Sequence, residues 1–159
     1  MTNCFANNLE DTDRIGAAIA AVVPVGTTIA LSGTLGAGKT RLVQAIASAC
    51  GISAEQVVSP TFVLCQEYVG TRMLIHMDAY RIADDDEFLQ LGVDEYFDSD
   101  AIVLIEWAER VAACLPDEYL EIEITVTGET QRTLSFRPVG PSMESVVAAI
   151  GRELDGHSS

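Results

Sequence analysis

Apolar residues recur with helical spacing from about Thr12 to Val23, and the period then changes. Thr27 to Ser32 reads as a strand, and Gly38 to about Cys50 returns to helical spacing until Gly51 stops it. Thr61 to Val69 and Arg72 to Met77 are strand-like and meet at Gly70-Thr71, which predicts a tight hairpin; an acidic helical patch follows. The run Ala101-Ile102-Val103-Leu104-Ile105 has the length and β-branched content of a strand buried on both faces, as in parallel sheets. Trp107 to Leu115 reads as helical up to Pro116. Tyr119 to Val126 and Gln131 to Arg137 alternate around Gly128-Glu129 as a second hairpin, and Met143 to Leu154 closes the chain as a helix. With no internal repeat or linker, the pattern predicts a single α/β domain over residues 1–159, three-layered, with a mixed, partly parallel sheet and peripheral hairpins.

Between the first predicted strand and its helix stands Gly33-Thr34-Leu35-Gly36-Ala37-Gly38-Lys39-Thr40, a complete G-x-x-x-x-G-K-[ST] phosphate-binding loop in the strand, loop, helix context that the motif requires. The fold is therefore expected to be P-loop NTPase-like. Glycines let successive backbone N–H groups converge on phosphate oxygens, and the helix dipole reinforces that anion site. Lys39, the only lysine in the chain, is placed to reach the β and γ phosphates, and the Thr40 hydroxyl to ligate Mg²⁺. Thr34, Leu35, Gly36, Ala37, Gly38, Lys39, Thr40 and Arg41 are the candidate nucleotide-contacting positions of this segment.

Composition narrows the remainder. At 17.0 kDa and 48% hydrophobic residues, the chain has room for one core but not for a separate substrate domain, so specificity must come from short insertions or another protein. A formal charge of −15 is the wrong sign for gripping a nucleic-acid backbone, which argues against strong direct nucleic-acid binding by this chain alone. Cys4, Cys50, Cys65 and Cys114 show no metal or disulfide spacing and read as buried reduced thiols. The apolar stretch from Ile15 to Val25 contains Gly16 and Pro24 and lacks a basic leader, so neither a membrane span nor a signal peptide is expected; the pattern points to the cytoplasm.

A P-loop needs a further carboxylate near its metal. Glu106 ends the most apolar strand, and Asp78 follows Met73-Leu74-Ile75-His76-Met77. We assign Glu106 to the metal and Asp78 to positioning water or sensing the γ-phosphate, with the reverse as the alternative; both, with Lys39, are the candidate catalytic residues. Period-two geometry puts His76 on the face of Asp78, as a hydrogen-bond partner or as a satisfied, half-buried histidine. Trp107 reads as core or boundary packing.

Four blocks taken together resemble the TsaE (formerly YjeE) family: the P-loop, Ser59-Pro60-Thr61-Phe62, His76-Met77-Asp78-Ala79-Tyr80-Arg81 and Ile105-Glu106-Trp107-Ala108-Glu109. The likeness runs from about Leu9 to Arg137, with Ala79 where the family commonly has leucine and Ala108 where it commonly has proline. The resemblance implies a bacterial ATPase needed to make threonylcarbamoyladenosine in tRNA, using ATP and Mg²⁺ and working with the proteins of the threonylcarbamoyl-transfer complex. It also implies a nucleotide-sensing role for Thr61, a metal-associated glutamate at Glu106, a required acid at Asp78, and a place near the adenine for Thr12, which equally suits a helix N-cap.

Other P-loop classes are weighed by absence. An N-K-x-D guanine reader cannot exist with Lys39 as the only lysine, and the arginines are too dispersed for the phosphoryl-enclosing lid of a small-molecule kinase, the main enzymatic rival. A nucleotide-dependent binding switch is the rival of another class. From Ile82 to Asp100 there are acids at Asp84, Asp85, Asp86, Glu87, Asp94, Glu95, Asp98 and Asp100 and no lysine or arginine, which suits helix N-termini and also a basic partner. Reversing Asp94 and Glu95 to lysine is expected to weaken association with partner proteins and spare nucleotide affinity; unchanged association would remove the docking role.

Overall fold

The computed structural model describes residues 2–58 and 65–156, so Ser59, Pro60, Thr61 and Phe62 lie outside the described residues. Seven strands form one sheet: β1 (Thr2–Ala6), β2 (Thr28–Ser32), β3 (Cys65–Val69), β4 (Met73–Asp78), β5 (Ile102–Glu106), β6 (Tyr119–Val126) and β7 (Arg132–Val139), in the order β1-β7-β6-β2-β5-β4-β3. The middle of the sheet is parallel, with β6, β2, β5 and β4 side by side. Antiparallel partners close it at both margins: β3 on β4, β7 on β6 and β1 on β7. This is the expected mixed sheet with peripheral hairpins.

Burial explains the parallel centre. All five residues of β5 are buried, so both of its faces need cover. On one face lie α1 (Leu9–Val22), α2 (Lys39–Ala49) and α5 (Pro141–Gly156), whose apolar stripes join Leu31, Leu104, Ile122 and Phe136 in the larger core. On the other, α3 (Asp85–Leu89), α4 (Val93–Phe97) and two 3₁₀ turns over Ala108–Cys114 pack Phe88, Val93 and Val111 onto Ile75, Met77, Val103 and Ile105.

Three departures from the sequence reading have physical causes. β1 has no counterpart there, because only Ala6 of its five residues is buried and an edge strand so exposed carries no alternation signal. α1 begins at Leu9 with Asn8 as its N-cap, accepting from Asp11 N–H at 2.8 Å; Thr12 therefore lies inside the helix and is not a cap. The Trp107 to Leu115 segment is not an α-helix: it enters through a left-handed Trp107 (φ 58°) and kinks at Val111.

α1 and α2 are locked together. A Cβ on Gly16 would overlap Ala45 and the backbone beside it, so the two helices approach as closely as a glycine allows. Gly16→Val is accordingly expected to cost about 3 kcal/mol by overpacking and to lower the melting temperature by roughly 10 °C, read by thermal unfolding; an unchanged transition would show that the crossing is loose.

Candidate functional site

The P-loop leaves the central strand β2 at its carboxyl end and enters α2, where open parallel sheets present their ligand crevice. Backbone sterics set its path. Gly33 has φ 146°, and a Cβ there would meet the Ile124 carbonyl at 2.6 Å; Gly38, the N-cap of α2, has φ 110°. From below, Arg132 of β7 donates its Nε–H to the Ala37 carbonyl at 3.0 Å and its η1 nitrogen to the carbonyls of Gly128 and Gln131 at 3.1 and 2.9 Å, tying the loop to the β6–β7 turn. No sequence signal singles Arg132 out.

A cleft of about 380 Å³ opens over the loop and is lined by Leu35, Gly36, Gly38, Lys39, Thr40, Arg41, Asp78, Tyr80, Glu106 and Trp107. Most of the sequence candidates thus meet in one place. Three of the described candidates do not line this cleft: Ala37 is packed in the core, Thr34 lines a separate groove of about 680 Å³ beside β6, and Thr12 lies on its flank. A second cleft of about 540 Å³ shares Gly38 and Arg41 with the first and is lined also by Asn8, Leu9, Glu10, Thr12, Glu129, Thr130 and Arg132. Thr12 therefore lies on the side of α1 that faces the loop's flank. Arg41 is held there by Asp13 at 2.6 Å.

The acids sit where the parallel register puts them. Asp78 and Glu106 are paired neighbours on β4 and β5, 4% and 3% exposed. The Thr40 hydroxyl reaches both Glu106 carboxylate oxygens, at 2.9 and 2.8 Å, so the first turn of α2 is tied to the end of β5. Asp78 Oδ1 accepts the Tyr80 N–H at 2.8 Å. His76 is completely buried, and its partner is Glu106, not Asp78: Nε2 lies 2.5 Å from Oε2. Period-two spacing puts His76 and Asp78 on one face but cannot show which acid the adjacent strand brings closer. The half-buried histidine of the sequence reading is thereby corrected.

Lys39 is 5% exposed and donates to the carbonyls of Gly33 and Thr34 at 2.6 and 3.0 Å. Its ammonium lies 4.0 Å from the centre of the Trp107 ring, within cation–π range, and that ring packs on Tyr80 with centroids 4.9 Å apart. Trp107 is thus part of the cleft wall rather than only core packing. It is also the one non-glycine residue with positive φ among the described residues, a conformation that costs about 1 kcal/mol or more. Burial holds the Lys39 ammonium below the ordinary lysine value, with Glu106, Glu109 and Asp78 pulling it part of the way back.

Among the described residues, no group of three or more His, Cys, Asp or Glu side chains forms a metal cage. The Thr40 hydroxyl and the Glu106 carboxylate are hard oxygen donors at the foot of the cleft, a small set that suits Mg²⁺, which keeps several waters and takes further oxygens from phosphates. The four cysteines are free; only Cys50 is fully buried, the others being half-buried, and burial pushes every thiol up.

A family model described as "Threonylcarbamoyl adenosine biosynthesis protein TsaE" matches residues 6–134. The chain belongs to the TsaE family. The Bacillus subtilis protein named tRNA threonylcarbamoyladenosine biosynthesis protein TsaE is 39% identical over 146 residues, covering 91% of this chain and 90% of that one. Its counterpart of the same name from Treponema pallidum is 36% identical over 132 residues, covering 83% and 97%. A solved structure, Bacillus subtilis YdiB, superposes with a TM-score of 0.80 at 34% identity, over 95% of this chain and 94% of that one. The TsaE match takes in the P-loop, His76, Asp78, Glu106 and Trp107.

The depressed Lys39 value gives a signed pH prediction. The unfolded chain binds that proton more tightly, so the Lys39 contribution to stability rises as pH climbs toward the ordinary value of 10.5. The raised thiols act in the opposite direction, since the unfolded chain ionises them first above 9.0. In urea unfolding between pH 8 and pH 10.5, the stability of the wild type relative to Lys39→Met is therefore expected to increase with pH; a flat or falling difference would contradict the burial of this charge.

Proposed function

We propose that this chain is a Mg²⁺-dependent ATPase that supports the proteins making threonylcarbamoyladenosine in tRNA, the pathway of its family. One observation carries the reading: Lys39 and Thr40, on the first turn of α2, face Glu106 and Asp78 across a single cleft whose flank continues along α1. The loop amides and the Lys39 ammonium would take the β and γ phosphates, and Thr40 and Glu106 would hold Mg²⁺. When bound, the ion supplies charge neutralisation at the phosphates. The base and ribose would lie along Leu9, Thr12 and Thr130, and Thr61 would sense the γ-phosphate. Asp78 or Glu106 would orient the attacking water, while Lys39 compensates charge developing on the phosphoryl oxygens.

Both arginines at the cleft are engaged, Arg41 with Asp13 and Arg132 with backbone carbonyls, so neither is poised as an arginine finger. Slow turnover by the isolated chain follows, with acceleration by partner proteins. The strongly negative charge suits basic partner surfaces and a cytoplasmic protein acting on tRNA only through them. No described helix is long and apolar enough to cross a membrane.

Two substitutions separate binding from chemistry. Lys39→Ala is expected to weaken ATP binding by roughly tenfold to a hundredfold in calorimetry, the loss of one charge-assisted contact. Glu106→Gln is expected to retain binding while turnover measured by phosphate release falls about a hundredfold. Full function of Glu106→Gln in partner-dependent tRNA modification would favour the nucleotide switch over the ATPase, and phosphate transfer to a metabolite would favour the kinase.

A further inference from the structure

Behind the cleft lies a buried group that the proposed chemistry does not use. His76 stands on β4 opposite Leu104 of β5, one pleat below the Asp78–Glu106 pair and on the same face of the sheet. Its Nε2 is 2.5 Å from Glu106 Oε2, while its buried Nδ1 has no hydrogen-bond partner among the described residues. An N–H without an acceptor is worse tolerated in a core than a bare lone pair, so the proton belongs on Nε2, which donates to the carboxylate. An aliphatic residue would fill the same volume without leaving Nδ1 unsatisfied, so the imidazole serves its Nε2 contact rather than packing.

What that contact adds is orientation. The Thr40 hydroxyl has one proton and stands almost equally far from both Glu106 oxygens, 2.9 and 2.8 Å, so it does not by itself select one setting of the carboxylate. His76 engages Oε2 alone, from beneath, and breaks that symmetry. We propose that His76 is a positioning residue that locks the Glu106 carboxylate in one orientation at the foot of the cleft, so that turnover depends on it while nucleotide affinity does not.

The proposal rests on the ATPase reading for its kinetic readout and on spectroscopy for an independent one. The wild-type protein in a long-range ¹H–¹⁵N spectrum should show His76 as the Nε2-protonated tautomer, with ring resonances displaced by Glu106→Gln; the second histidine, His157, serves as the internal reference. Kinetically, His76→Leu should lower kcat roughly tenfold or more while ATP affinity by calorimetry stays within about threefold, and His76→Gln, which retains an N–H donor, should recover much of the loss. A Nδ1-protonated ring, a wild-type kcat in His76→Leu, or equal losses in the two variants would overturn the assignment. Absence of ATP turnover in the wild type would sink the ATPase reading instead, leaving the tautomer and its response to Glu106→Gln to decide the role of His76. Should His76→Leu fail to fold, His76→Gln and the wild-type spectrum decide it.

Discussion

A carboxylate with 3% exposure at the end of the most apolar strand is the constraint around which the rest is arranged. Removing such a group from water is costly unless donors replace the lost hydration, and Glu106 has two from separate elements: the Thr40 hydroxyl of α2 and the His76 imidazole of β4. Those bonds fix the start of α2 relative to the carboxyl ends of β5 and β4. The loop between β2 and α2 must then arch over the same point, and Arg132 holds it there from the far side. The crevice is thus defined by a polar junction inside an apolar frame.

The same desolvation operates on Lys39 with opposite sign. Its ammonium is kept among carbonyls and over an aromatic face, partners that disperse positive charge without cancelling it. Unlike a tight ion pair, that arrangement leaves the charge available to an anion, and the anionic neighbours Glu106 and Asp78 are buried close by without closing on it. Opposite charges are therefore desolvated side by side in the cleft, an arrangement whose strain an anion placed at Lys39 would lessen.

How much of this could be read beforehand follows from what each residue must satisfy locally. The P-loop was legible because its demands are consecutive: Gly33 and Gly38 for backbone conformation, then Lys39 and Thr40 for charge and hydroxyl at adjacent positions. β5 was legible because burial on both faces leaves an unbroken apolar run. Contacts made across the sheet were not. The spacing of β4 puts His76 on the face of Asp78 but leaves its partner open, since only the β4–β5 register brings Glu106 to it. Trp107 and the turns after it have a helix-like composition, yet the chain must swing from the end of β5 back over Val103 and Ile105, and tertiary packing prevails over propensity there. Arg132 acts on Ala37 from 95 positions away, a distance that no local pattern spans.

The Gly16–Ala45 crossing has a mechanical corollary. With α1 and α2 in backbone contact and Arg41 clasped to Asp13, the floor and one flank of the crevice behave as a single rigid plate. Closer approach of one helix to the other is sterically barred. The facing rim is built differently: a left-handed tryptophan leads into kinked 3₁₀ turns, which hold poorer hydrogen-bond geometry than the α-helices opposite.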